Sequence, residues 1–194
     1  MKVLLLFLLI ACLSLIGCPS YSVHPLYTDQ DAVVEPALEG TWSDPDSDDK
    51  EGIVFRKSGD RKYTLSVFHP DTKVKENYEV HLVRLGDQMF MDIIADDQTV
   101  GNAKLDGPMG VIPTHLIWRV KISGDDLAYA TLEDEAIRKQ SAAGGAALNY
   151  QMVGDRVLVT TPTDALRGYI SAHSQDAFSK MDHLKRIGKA PSQP

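Results

Sequence analysis

Alternating hydrophobic and polar residues dominate the chain from Ile53 onward. In the clearest case, Leu116, Trp118, Val120 and Ile122 alternate with Ile117, Arg119 and Lys121. A period of two predicts β-strands with one buried face. Strands are predicted over 53–56, 63–67, 78–82, 89–95, 116–122, 126–132 and 156–161. Short strands joined by Gly-Asp turns predict a single antiparallel meander of about 7–9 strands, closed or nearly closed as a barrel.

Helical patterns interrupt the strands in three places. Residues Glu133–Ala142 predict a short inserted helix, which ends at Gly144-Gly145. The run Thr161-Pro162-Thr163-Asp164 carries the signals of a helix start, with Thr161 as the capping residue. A second C-terminal helix is predicted from Ser174, with Phe178, Met181, Leu184 and Ile187 on its apolar face. The fold class is therefore mainly β, with C-terminal helices over about 162–187, and the glycine- and proline-rich residues 97–113 predict a loop.

The N-terminus has the layout of a secretory signal peptide. Lys2 precedes the uninterrupted apolar run Val3–Leu13, which is too short to cross a bilayer core of about 30 Å. The following Leu15-Ile16-Gly17-Cys18 resembles the lipobox of bacterial lipoproteins, in which the cysteine is lipidated and becomes the mature N-terminus. The resemblance implies a protein anchored to the membrane of the bacterial cell envelope through Cys18. Pro19, rather than Asp, implies the outer membrane facing the periplasm in a bacterium with two membranes.

These features divide the chain into four parts. Residues 1–17 are the predicted signal peptide. Residues 18–37 are the lipidated cysteine and a tether, rich in proline and serine, that becomes ordered as it reaches the domain. Residues 38–188 form the predicted barrel domain with its C-terminal helices, and 189–194 a tail. Removal of the signal leaves 177 of the 194 residues, a length that suits one domain.

Charge and cysteine content exclude several classes of function. The signal holds one of the 20 basic residues and none of the 27 acidic ones, so processing lowers the formal charge from −7 to −8. Nucleic acid is therefore an improbable partner. Cys12 leaves with the signal and lipid occupies Cys18, so the mature domain has no disulfide, cysteine-bound zinc or cysteine nucleophile.

No motif in the mature chain commits it to catalysis, and we predict no catalytic residues, metal ligands or cofactor. An EF-hand loop starting at Asp44 fails because Asp49 and Phe55 replace its required Gly and Glu. The histidines lack zincin spacing, and no Gly-x-Ser-x-Gly nucleophile motif occurs. His81 and His115 lie on strands, where they are solvated if their faces point outward and line a pocket if they point inward.

Gly40-Thr41-Trp42, followed by a strand meander and a C-terminal helix, resembles the lipocalin or calycin architecture. That family places a tryptophan at the closed end of the barrel, a structural role that the resemblance gives to Trp42. A basic residue late in the family's barrel packs over this tryptophan, and Arg156 and Arg167 are the candidates by position.

A wider resemblance extends over most of the mature chain. It rests on four segments, which are His24-Pro25-Leu26-Tyr27, Glu35-Pro36-x-Leu38-x-Gly40-x-Trp42, Thr114-His115 and Thr161-Pro162-Thr163-Asp164. Together they resemble uncharacterised bacterial lipoproteins with a single mixed-β domain. This resemblance implies a fold and a location but no activity.

The expected function is a non-catalytic binding or assembly module of the envelope, with an envelope protein as its partner. The alternative is a lipocalin-like carrier of a small apolar ligand, and an envelope hydrolase is the least supported. A carrier requires a continuous internal cavity of roughly a few hundred Å3. Large side chains that fill the barrel would instead favour the binding module.

Overall fold

The fold was analysed in a computed structural model. It describes residues 18–46, 52–69, 74–97, 99, 113–142 and 148–189. The predicted signal peptide, residues 47–51 of the acidic run, most of the 97–113 loop, Gly144-Gly145 and the tail from 190 lie outside these residues.

Twelve strands and two α-helices make up the regular structure of the described residues. The strands are β1 (Tyr21–Ser22), β2 (Ala32–Val33), β3 (Gly40–Ser43), β4 (Gly52–Lys57), β5 (Tyr63–His69), β6 (Val74–Leu85), β7 (Gln88–Ala95), β8 (His115–Ser123), β9 (Asp126–Thr131), β10 (Tyr150–Val153), β11 (Arg156–Val159) and β12 (Asp182–Gly188). The helices are α1 (Asp134–Ala142) and α2 (Thr163–Ala172), and a 3-10 turn covers Pro36–Leu38.

Eight strands form a closed antiparallel barrel. Strands β3 to β9 follow one another in chain order, and β12 closes the ring between β9 and β3. The predicted Gly-Asp turns are confirmed, because Gly86, Gly124 and Gly154 all have positive φ angles near 60°. The fold is therefore a calycin-like, mainly β architecture, as the alternating pattern predicts.

Large apolar side chains pack inside the barrel. Alternate residues of each strand point inward, so neighbouring strands contribute to one shared core. Trp42, Phe55 and Tyr63 are all fully buried in this cluster. It also contains Leu38, Leu65, Val80, Leu82, Met91, Ile93, Val120 and Leu127.

A second hydrophobic core lies outside the barrel wall. Phe90, Ile117 and Ala130, from β7, β8 and β9, pack against α1, α2 and β11. Strand β1 pairs with β8 on one side and, in parallel, with β11 on the other, so β1, β11 and β10 extend the sheet beyond the barrel. The barrel wall is consequently buried on both faces in this region. This explains why Phe90 and Ile117 are apolar, although they lie on the outer face, where the alternation predicts polar residues.

The inserted helix and the first C-terminal helix are confirmed as α1 and α2. The cap assigned to Thr161 is wrong, because α2 begins after Pro162 and has no side-chain cap. The Thr161 hydroxyl instead accepts a hydrogen bond from the Asn149 amide at 2.6 Å and donates one to the Asn149 carbonyl at 3.2 Å. It thereby fastens the chain before α2 to the start of β10.

The second C-terminal helix is wrong, because Asp182–Gly188 forms strand β12. Leu184 and Arg186 are shielded, whereas His183, Lys185 and Ile187 are exposed, a period of two. Arg186 pairs with Trp42 of β3, and Leu184 pairs with Leu127 of β9. The last strand of the chain is therefore the one that closes the barrel.

The segment predicted as a tether packs against the domain from its first residues. Leu26 is fully buried, as is Ser22, and Ala32 is buried where β2 pairs with β6. Its prolines and serines are typical of a linker. The local pattern does not show the packing, because the groups that hold this segment lie far away in sequence.

Candidate functional site

Cys18, the cysteine of the predicted lipidation motif, is exposed and free among the described residues. Its carbonyl accepts a hydrogen bond from the amide of Asp134 at 3.1 Å. The next residue, Pro19, forms a β-bridge with Glu133, and its carbonyl accepts a hydrogen bond from Arg156 at 3.3 Å. The backbone is thus bound to the domain at Cys18 itself, while the thiol remains accessible to a modifying reagent.

A buried carboxylate fixes the chain just after Cys18. Asp134 is 4% exposed. One of its oxygens accepts a hydrogen bond from the Ser20 hydroxyl at 2.6 Å, and the other accepts one from the Val157 amide at 3.1 Å. The Ser20 amide also donates to the Leu132 carbonyl at 2.7 Å. Because buried polar groups need partners, this network joins β11 and α1 to the start of the domain.

Trp42 occupies the end of the barrel near the 3-10 turn. Its indole nitrogen donates a hydrogen bond to the Leu38 carbonyl at 2.9 Å. The guanidinium of Arg186 lies 4.1 Å from the centre of the Trp42 ring, within cation–π range. The same guanidinium donates to the carbonyls of Ala37 and Glu39. Trp42 is therefore held by its own hydrogen bond to Leu38 and by an arginine that also bonds to the backbone on either side of Leu38.

The basic residue over the tryptophan is Arg186, so both earlier candidates are wrong. Arg156 bonds to Pro19, and Arg167 pairs with Asp31 and donates to the Leu26 carbonyl at 3.1 Å. Arg186 was missed because its segment was interpreted as a helix. The signal was present in the alternation of Leu184, Arg186 and Gly188.

Gly40 is required by this arrangement. Its φ angle is 151°, and a side chain there would overlap the Arg186 guanidinium. The Gly-x-Trp spacing is thus explained physically, since the glycine admits the arginine that packs on the tryptophan two residues later.

A cluster of ionisable and aromatic residues lies on the outer wall of the barrel. Asp92 is fully buried and accepts two hydrogen bonds of 2.6 Å, one from the Leu26 amide and one with Nδ1 of His115. In the sequence, Asp92 is a carboxylate within the otherwise apolar predicted strand 89–95. This is the signal for the site, although the sequence-based candidates above do not include it. Asp92 is the distant group that holds residue 26 against the barrel.

Tyr27 covers the same cluster. Its ring stacks on His81 with a centroid separation of 3.7 Å and meets His115 edge-on at 6.4 Å. Both histidines point outward, but the expectation that outward faces would be solvated is wrong, since each is less than 10% exposed. Burial, together with the negative charges of Asp92 and Glu79, raises the pKa of the Tyr27 phenol.

Glu79 connects this cluster to solvent. Its carboxylate contacts Nε2 of His81 at 2.9 Å and Nζ of Lys62 at 2.6 Å. Burial opposes ionisation of Glu79, but the hydrogen bonds from Lys62 and His81 outweigh it and lower its pKa. The described residues contain no group of three His, Cys, Asp or Glu side chains that could hold a metal ion. The backbone hydrogen bond to Asp92 and the stacking of Tyr27 on His81 fasten the N-terminal segment to the barrel wall.

A cleft of about 670 Å3 opens at the surface between the β6–β7 turn and the residues before β12. Gln88, Arg119 and Met181 line it together with the cationic Arg84 and Lys121. Two buried atoms of its lining, Oε1 of Gln88 and Nε of Arg119, have no hydrogen-bond partner among the described residues. Both atoms are shielded from solvent, so the groups that the cleft presents to a binding partner are its exposed charged side chains, Arg84, Asp87 and Lys121.

Comparisons with known proteins give no relative for this chain. It matches no family model, no curated protein and no solved structure. Within the described residues, no helix has the length and apolar character needed to cross a membrane.

Proposed function

We propose that this protein is a lipid-anchored component of the bacterial cell envelope that acts as a non-catalytic binding or assembly module. In a bacterium with two membranes, it is attached to the outer membrane and faces the periplasm. The observation that carries the proposal is Cys18, an exposed cysteine that follows the lipobox-like Leu15-Ile16-Gly17 and an apolar leader. Several acyl chains on one cysteine give stable attachment, whereas a single chain binds only marginally.

The anchor is tested by metabolic labelling of the full chain with a palmitate analogue. Cys18→Ser should abolish both the label and recovery in the membrane fraction. Cys12→Ser is the matched control, because it removes the other cysteine of the chain and should keep both properties. Unchanged labelling of Cys18→Ser would refute the proposal.

The packing of the barrel favours binding at the surface over transport of a ligand inside. Trp42, Phe55, Tyr63 and Met91 are fully buried in the interior cluster. Side chains of this size fill the space that a carrier would leave for its cargo. Native mass spectrometry of the mature protein tests this choice, since a reproducible extra mass lost on denaturation would support the lipocalin-like carrier instead.

The cleft beside Gln88 and Arg119 is our choice for the partner-binding surface. Exposed side chains of both signs, Arg84, Lys121 and Asp87, line it and suit a polar protein surface better than an apolar ligand. A photo-crosslinking residue at Gln175, which lines the cleft, should form a discrete adduct in intact envelopes. The same photo-crosslinking residue placed at the exposed position 57, on β4 across the barrel from β8, should form no adduct. Equal adducts from both positions would argue against the cleft.

A further inference from the structure

The start of the described chain and the β10–β11 hairpin lie at the same edge of the sheet. Tyr21 pairs with Leu158 in parallel register, which places Pro19 beside Arg156, and Arg156 pairs with Val153 of β10. The hydrogen bond from Arg156 to the Pro19 carbonyl supports this register. Adjacent strands are about 4.8 Å apart, so the backbone of Val153 lies about 10 Å from that of Pro19. Cys18 and the hairpin turn Gly154-Asp155 therefore extend in the same direction.

This edge is unusually apolar for an exposed surface. Val153 is 58% exposed and Met152 is 46% exposed, although both are large hydrophobic residues. Behind them, an open groove of about 440 Å3 is lined mostly by apolar groups, among them Tyr21, Val23 and Leu158. Exposed apolar residues that cluster beside a point of attachment indicate an interaction surface.

We propose that the hairpin tip of Met152 and Val153 inserts into the headgroup region of the membrane to which Cys18 is anchored. The inference rests on the proposed lipidation of Cys18. Because Cys18 is bound to Asp134 and Pro19 to Glu133, no spacer separates the lipid from the domain. Acyl chains at this position hold the adjoining edge against the bilayer, and Val153 is near enough to enter it. The domain thus has a fixed orientation rather than swinging on a tether.

The charges at this edge indicate which lipids it contacts. Glu133 is bridged to Pro19, Glu135 follows it in the first turn of α1, and Asp155 lies in the hairpin turn. Burial and the neighbouring Glu135 raise the pKa of Glu133. Arg156 is the basic residue of the tip and is bonded to Pro19. Attraction to anionic lipid is therefore a poor explanation for contact, and apolar insertion into neutral headgroups is the better one.

The test places a fluorescent reporter on the lipidated protein. Lipid consumes Cys18, so Val153→Cys supplies one free thiol for an environment-sensitive dye, and Met152→Cys gives a second reporter at the same tip. Asp60→Cys is the matched control, because Asp60 is exposed in the turn between β4 and β5, and β4 lies opposite β8 in the ring of eight. Each protein is reconstituted into phosphatidylcholine vesicles, and mass spectrometry verifies the acyl chains on Cys18.

Insertion predicts a blue shift at positions 153 and 152 and quenching by spin-labelled lipid, with neither effect at position 60. If the tip reporters behave like the one at position 60 while Cys18 carries its acyl chains, the insertion is refuted and the anchor stands. If Cys18 carries no lipid, both the anchor and the insertion are refuted.

Discussion

Removal of the Arg186 side chain should show how much the stability of the barrel around Trp42 depends on one residue. Arg186 contacts the Trp42 ring and donates to the carbonyls of Ala37 and Glu39, and its side chain is only 19% exposed. A partly desolvated cation–π contact contributes about 1–2 kcal/mol. Hydrogen bonds from a charged donor contribute about 1.5–3 kcal/mol each, part of which water restores when the carbonyls become accessible. The ion pair with Asp125 adds little, since that partner is 80% exposed.

We therefore expect Arg186→Ala to lower the free energy of unfolding by about 3 kcal/mol. Arg186→Lys keeps the charge but loses the planar guanidinium that bonds to both carbonyls. It should therefore lower the free energy of unfolding by about half as much. The control is Arg138→Ala, an exposed position on α1, which should stay within about 0.5 kcal/mol of the wild type.

The assay is urea unfolding of the unlipidated mature chain, followed by tryptophan fluorescence. Trp42 is fully buried, so its emission, measured in a Trp118→Phe background that removes the other tryptophan, reports on unfolding around Arg186. If Arg186→Ala matches Arg138→Ala in unfolding free energy, the arginine does not hold the end of the barrel. The assignment of Gly40, Trp42 and Arg186 as one structural unit would then be wrong.

Two further predictions concern the N-terminal segment. Asp92→Ala leaves the Leu26 amide and His115 without their hydrogen-bond acceptor. It should therefore lower the free energy of unfolding by about 3 kcal/mol and make residues 18–33 sensitive to proteolysis. A wild-type digestion pattern would contradict this. The pKa values of Asp31 and Glu79 are lowered in the folded state, so their stabilisation is present above the unfolded pKa of about 4 and lost as pH falls through the folded values. Urea midpoints should therefore separate the wild type from the Asp31→Asn, Glu79→Gln double variant at pH 7. The gap should shrink progressively as the pH is lowered below about 4, and a constant gap would exclude these carboxylates.

The predicted tether shows why sequence pattern failed in one region. Residues 19–37 have no sustained period, and the segment contains Pro19, Pro25 and Pro36. Its order comes from Asp92, Asp134 and Arg167, none of which is close to it in sequence. A local pattern contains no information about such partners, so a segment held by distant hydrogen bonds resembles a linker.

The second C-terminal helix failed for a related reason. Phe178, Met181, Leu184 and Ile187 recur every three residues, which suits a helix, but Leu184 and Arg186 also alternate with exposed residues, which suits a strand. Short segments satisfy both periods, and local propensity does not decide between them. Pairing with β3 and β9 makes this segment a strand, because the barrel has two unpaired edges until the segment fills the gap between them.

The sequence by itself determined the strands from Ile53 to Thr131, the Gly-Asp turns between them and the helices α1 and α2. Each of these depends on residues within a few positions of one another, whose alternation or helical spacing follows from burial of one face. Only the tertiary structure decided that Arg186 covers Trp42, that Asp92 holds Leu26 and that Cys18 lies beside an apolar hairpin. Those contacts join residues between 66 and 144 positions apart, and they form only after the barrel has brought their strands together.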